Sequence, residues 1–180
     1  MQSIFGTDGI RGIFNEGITY DLAEKIGYAF GNIINNSHKV LIGRDTRVSG
    51  DLLLEALSNG LNASGKEVVD IGICPTPAIP FLIKQFQTYT GIMISASHNP
   101  PEYNGIKIFD QDGHKLNKKK EIEIENYLNK IKSNLIFRKE KKIIQKFDLL
   151  EVYKQSLIDS IGNNNLNGMK IILDTCHGSA

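Results

Sequence analysis

The sequence predicts an α/β protein, a mixed and mostly parallel sheet with helices on both faces. Short apolar runs recur at 39–43, 67–71, 90–95 and 105–109, each of a length suited to a buried strand. Stretches of helical period separate the first three runs, over 51–64 and after Thr76. Glycine, proline and asparagine punctuate the joints. A strand–helix–strand–helix–strand succession of this kind implies layers of helix on sheet with right-handed crossovers.

The elements are justified in chain order. Over 20–34, Leu22, Ile26, Ala29, Phe30 and Ile33 share one helical face, and Thr19 is the expected N-cap. The 39–43 strand runs into a polar loop, Gly43-Arg44-Asp45-Thr46-Arg47-Val48-Ser49-Gly50. A helix over 51–64 turns Leu53, Ala56, Leu57 and Leu61 inward, and Gly65 stands where a terminating glycine belongs. After the second strand, Thr76 is expected to cap a helix that begins at Pro77. Asp112-Gly113 marks a turn. Ile124, Tyr127, Leu128 and Ile131 form a stripe on a Lys/Glu-rich helix. The lysines of 118–142 alternate with Glu121, Glu123, Glu125 and Glu140, the pattern of a solvated helix face rather than a nucleic-acid patch. A helix over 148–161, an Asn163–Asn165 loop and a strand over 169–174 complete the reading. The expected organisation is one domain over 1–150, with 151–180 as a linker helix and the first strand of a second domain cut short.

Composition sets outer limits. The 180 residues are 41% hydrophobic and 23% charged, with a formal net charge of +1. That balance fits a globular protein and implies no bulk attraction to nucleic acid or membrane. Neither a leader of signal-peptide type nor an apolar run of about 20 residues is visible, so a cytoplasmic protein is expected. Cys74 and Cys176 stand far apart without a metal-binding spacing and are expected as reduced thiols, Cys74 as a small buried filler. His38 and His114 are expected at the surface.

Chemistry concentrates in Ser95-Ala96-Ser97-His98-Asn99-Pro100-Pro101-Glu102-Tyr103-Asn104-Gly105-Ile106-Lys107. The stretch follows the C-terminal end of a strand, where open α/β sheets place ligands. It gathers hydroxyl, imidazole, amide and ammonium groups, and two prolines stiffen it. By themselves these residues fit a polar turn as well as a reactive loop.

Ser-Ala-Ser-His-Asn-Pro followed by Tyr-Asn-Gly-Ile-Lys resembles the phosphoserine loop of the α-D-phosphohexomutases. The resemblance extends over about residues 3–180. It includes Phe5-Gly6-Thr7-Asp8-Gly9-Ile10-Arg11-Gly12, Gly43 to Arg47 with Ser49-Gly50, and Gly72-Ile73-Cys74-Pro75-Thr76-Pro77. In its first segment the wording is most like the branch that acts on glucosamine phosphates. The resemblance implies the α/β/α layers of a first mutase domain, with these loops gathered at one sheet edge. It implies that Ser97, directly before His-Asn-Pro, carries the transferable phosphate. The reaction it implies interconverts glucosamine 6-phosphate and glucosamine 1-phosphate through a 1,6-bisphosphate, which also serves as activator. Mg²⁺ is implied too, with the Ser97 phosphate as one ligand and the others supplied from beyond these residues. Relatives draw metal aspartates, sugar contacts and a further phosphate loop from later domains, so this chain alone is expected to be inactive or nearly so.

Other roles stay open at this point. Arg11 offers a planar fork for phosphate oxygens, and equally an ion pair with Asp8 or Asp45. Lys107 is a point charge or proton-transfer group toward the phosphate, with a surface lysine as the plainer reading. His98 is a phosphate contact, a proton carrier or a structural histidine. Arg44 and Asp45 read as ion pairs that brace their loop. The rivals are a phosphomannomutase/phosphoglucomutase, a non-catalytic sugar-phosphate-binding module, and a serine hydrolase, the last without its G-x-S-x-G turn.

Overall fold

The computed structural model describes residues 3–34, 38–131, 142–162, 164, 166–176 and 178–179. Its strands are β1 (Ile10–Ile13), β2 (Lys39–Arg44), β3 (Glu67–Ile73), β4 (Tyr89–Ile94), β5 (Tyr103–Phe109) and β6 (Ile143–Gln145). Its helices are α1 (Tyr20–Ile33), α2 (Gly50–Ala63), α3 (Ala78–Phe86), α4 (Lys118–Leu128) and α5 (Leu149–Ile161). One six-stranded sheet has the order β1-β5-β4-β2-β3-β6. β4, β2, β3 and β6 pair in parallel, while β5 runs antiparallel to both β4 and β1. Parallel neighbours need a crossover, which α2 and α3 supply; the antiparallel return from β4 to β5 needs only a loop, and that loop carries Ser97.

The helices fall on two faces. Ile26 and Phe30 of α1, Leu53, Leu57 and Leu61 of α2 and Ile124 of α4 cover Val40, Ile42, Ile92 and Ile94. Ile79, Leu82 and Ile83 of α3 and Leu149 of α5 cover Leu41, Val69, Ile71 and Met93. α1 and α2 meet backbone to backbone. A methyl group on Gly60 would strike the Glu24 carbonyl and lie 2.5 Å from the Tyr28 nitrogen, and one on Gly27 would strike the Leu57 carbonyl. Only glycine permits that approach.

Thr19 caps α1 as expected, its Oγ1 accepting from the Leu22 N–H at 3.1 Å. Gly65 follows α2 in the left-handed region, at φ +81°. The lysines of α4 among the described residues lie at its surface, and Tyr127 packs its ring edge-on to Tyr28 at 6.0 Å. Both cysteines are free thiols, Cys74 buried and Cys176 exposed. His38 and His114 are exposed.

Four expectations need correction. α3 begins at Ala78 with Pro77 as its N-cap and no side-chain cap bond; the Pro75 and Thr76 carbonyls accept the first amides instead of the Thr76 hydroxyl. α4 ends at Leu128, so Ile131 lies beyond the helix. Residues 169–174 form no strand: Met169, Ile171, Ile172 and Leu173 are exposed, and a strand without a neighbour has nothing to satisfy its amides. β1 and β6 had no counterpart in the sequence reading, the one lying inside a glycine-rich motif and the other only three residues long. Asn163 and Asn165 lie outside the described residues.

Candidate functional site

β4 ends at Ile94, and the next two serines have opposite environments. Ser95 is buried; its N–H donates to the Gly105 carbonyl at 2.9 Å, and its hydroxyl accepts the Ser97 N–H at 2.9 Å. Ser97 is exposed and adopts φ +58°, the left-handed region that non-glycine residues enter only when held there. The buried hydroxyl is thus a brace, and the exposed one is presented to solvent. His98 is exposed as well, and its imidazole makes no hydrogen bond among the described residues.

Arg11 reaches this loop from β1, where it lies opposite Gly105. Its Nη1 donates to Asn99 Oδ1 at 3.1 Å and to the Ala96 carbonyl at 3.5 Å, bracketing Ser97 on both sides. Its Nη2 pairs with Asp8 at 2.6 Å, one of the two ion pairs open to it. Lys107, only 6% exposed on β5, meets the same Asp8 oxygen at 3.0 Å, and Lys115 pairs with the other. Lys107 is therefore not a surface lysine. Three cations converge on one carboxylate. The Lys115 hydrogen bond lowers the Asp8 pKa most, burial opposes it, and Lys107 and Arg11 lower it further, so the group stays far below the usual carboxylate range. Gly9 makes the convergence possible: it sits at φ +88° with its α-carbon against the Ile106 carbonyl, where any side chain would collide. An open groove of about 390 Å³ runs along Thr7, Asp8, Gly9 and Arg11.

The loop after β2 supports the serine loop from behind. Arg44 pairs with Asp51 at 2.7 Å and Asp70 at 2.9 Å, and Asp45 pairs with Arg47 at 3.0 Å, as the bracing reading expected. Arg47 was not singled out in the sequence. It donates to the carbonyls of Ser97 (3.0 Å), Asn99 (2.7 Å), Pro100 (2.5 Å) and Tyr103 (2.8 Å). Asn104, fully buried, donates to the Ser49 hydroxyl at 2.8 Å and ties β5 to the same loop. Cys74 is inert: burial, reinforced by Asp70, pushes its thiol up to about 12. Asp110, Asp112 and His114 come together at a turn, where Asp110 accepts the amides of the other two.

Residues 2–135 match the family model for phosphoglucomutase/phosphomannomutase, alpha/beta/alpha domain I. A phosphoglucosamine mutase from Prochlorococcus marinus (strain MIT 9312) is 60% identical over 100% of this chain and 40% of its own length. One from Synechococcus sp. (strain WH7803) is 45% identical over 99% of the chain and 39% of its own. The chain thus spans about two fifths of the relatives it matches. Among solved structures, a phosphoglucomutase/phosphomannomutase family protein from Burkholderia thailandensis superposes with a TM-score of 0.72 at 27% identity, covering 88% of this chain and 36% of the other. No helix among the described residues is long and apolar enough to cross a membrane.

Proposed function

The chain belongs to the phosphoglucomutase/phosphomannomutase family, and on that premise we propose that it is the phosphoserine-bearing part of a phosphoglucosamine mutase. The observation that carries the reading is Ser97: an exposed hydroxyl held in a left-handed turn and bracketed by Arg11. The names of the relatives, at 60% and 45% identity across the chain, support glucosamine phosphate as substrate.

In the proposed cycle, the 1-hydroxyl of glucosamine 6-phosphate attacks phosphorus on phospho-Ser97. The new O1–P bond forms as the Ser97 Oγ–P bond breaks, and the proton lost by the sugar hydroxyl leaves Ser97 a neutral alcohol. The 1,6-bisphosphate turns over, Ser97 Oγ attacks the 6-phosphate, and the O6–P bond breaks as O6 takes up the proton lost by Ser97. Phospho-Ser97 is regenerated and glucosamine 1-phosphate departs. Splitting the transfer in two makes each step an in-line displacement that needs positioning and positive charge more than covalent help. Arg11 supplies the fork for equatorial oxygens. Lys107, buried and paired with Asp8 at 3.0 Å, supplies positive charge beside the serine loop and a proton-transfer group at Nζ. His98, exposed beside Ser97, is the mobile proton carrier.

Mg²⁺ would offset charge on the transferring group. Around Ser97, Asp8 is engaged by three cations and Asp45 by Arg47, while the Glu102 carboxylate is exposed on the same loop. The phosphate on Ser97 would be a ligand to the ion, and the chain by itself is expected not to complete turnover. The same reading takes 1–150 as the serine-bearing domain and 151–180 as the passage toward a second, in a cytoplasmic protein. The exposed Leu157, Ile158 and Ile161 on the outer turns of α5 support that passage.

The test is peptide mapping by mass spectrometry after incubation with glucosamine 1,6-bisphosphate and Mg²⁺, on the chain and on a full-length protein carrying it. Phosphate is expected on Ser97 and absent from Ser97→Ala. Phosphate on Ser95, or none on the full-length protein, would overturn the assignment. Competing glucosamine, glucose and mannose 6-phosphates on that protein decides the sugar.

A further inference from the structure

We infer that Arg47 is a positioning residue for the phosphate on Ser97: by drawing the carbonyl oxygens of the 97–103 loop inward, it leaves the His98 main-chain N–H turned out toward that phosphate. The inference rests on the Ser97 reading above.

The geometry is one-sided. The Arg47 side chain is only 9% exposed and has one carboxylate partner, Asp45, through Nε at 3.0 Å. Its two terminal nitrogens serve carbonyls alone, those of Ser97, Asn99, Pro100 and Tyr103. A trans peptide points its N–H opposite to its C=O, and the chain has no cis bonds. The Ser97 carbonyl faces Arg47 at 3.0 Å, so the His98 N–H faces the other way. It meets no acceptor among the described residues.

The neighbouring peptides explain why that donor stands alone. The Asn99 and Pro100 carbonyls also face Arg47, but the following residues are Pro100 and Pro101, which carry no N–H. The Ser97 N–H is already taken by Ser95 Oγ, and the Asn99 N–H by the Ala96 carbonyl. One main-chain donor therefore remains at the serine, beside the Oγ that would hold the phosphate. An amide aimed at a phosphate oxygen makes a charge-assisted bond without side-chain freedom to lose. A lysine at 47 is a point charge and cannot bridge four carbonyls with a planar fork.

The test encodes phosphoserine at 97 in the whole 180-residue chain, so it does not depend on whether Ser97 acquires phosphate by catalysis. That reading fails separately, in the bisphosphate mapping above. Proton–nitrogen and phosphorus NMR then compare the serine and phosphoserine forms at one pH. In the unaltered chain the His98 amide proton is expected to move downfield, to couple through the hydrogen bond to phosphorus, and to exchange about tenfold more slowly, as a bond to a charged acceptor requires. In R47K and R47A, with sheet resonances unchanged, shift, coupling and slowing should vanish. If R47A loses the sheet resonances, R47K and R47Q decide. A His98 amide indifferent to phosphate in the unaltered chain overturns the inference, as does an undiminished response in R47K.

Discussion

The two faces of the sheet are packed by different rules. On one, α1 and α2 touch through glycine at Gly27 and Gly60, and the inward side chains of α2 are fully buried. On the other, α3 buries Ile79, Leu82 and Ile83, but α5 seats only its first turns. Leu149 is buried and the Tyr153 ring meets Phe81 at 5.4 Å, while Leu157, Ile158 and Ile161 remain exposed. A helix face is therefore no guide to the cost of changing a residue; what lies within van der Waals reach of it is. The glycine-packed face backs Ile42 of β2 and Ile94 of β4, the strands that hand over to the two site loops.

The sharpest way to break this comparison is Gly60→Ala. The added methyl has only backbone to displace, so unfolding stability should fall by about 3 kcal/mol in urea denaturation. A loss well under 1 kcal/mol would show that α1 and α2 can separate freely. Asp8→Asn should have a smaller effect, about 1 kcal/mol at neutral pH for partly exposed pairs, because it leaves Arg11, Lys107 and Lys115 facing a neutral amide. The sign follows from the lowered pKa. The Asp8 contribution is complete above its ordinary value of 3.8 and is lost as pH falls below it toward the depressed folded value. Denaturation of both proteins across pH should therefore show a gap at pH 7 that begins to close below 3.8. The smallest effect belongs to Leu157→Ser, expected within about 0.5 kcal/mol because the side chain already stands in water. A clear loss there would mean that α5 is covered in solution and that the two faces are more alike than the chain displays.

The sequence made the helical half of the fold legible because a 3.6-residue stripe is long enough to be unambiguous: Ile26, Phe30, Leu57 and Leu61 all fall where their spacing puts them. Strands at the sheet's margins left no such trace. β1 lies within Ile10-Arg11-Gly12-Ile13, where an arginine and a glycine break any alternation. Ile171 to Leu173 misled for the opposite reason, since an apolar run declares hydrophobicity but not a partner. In the candidate site, the motif singles out Ser97 and Lys107 as candidates, whereas the convergence of Arg11, Lys107 and Lys115 on Asp8 could not be read from it, because it joins residues up to 107 positions apart. Arg47 was hidden in a loop whose charges read as ion pairs bracing that loop. The one hint was the Pro100-Pro101 pair, which signals carbonyls without matching amides but not where they point.

The ends of the sheet have a consequence for the company this chain keeps. Its most thoroughly buried strand, β4, stands third from one margin, and the outermost strands are only four and three residues long. Among the described residues, a neighbouring molecule seeking to extend the sheet finds only a short strand on either side, too short to nucleate a stacked assembly. Apolar central strands can thus be kept in a crowded solution without growing edge to edge, because the margins are poor templates.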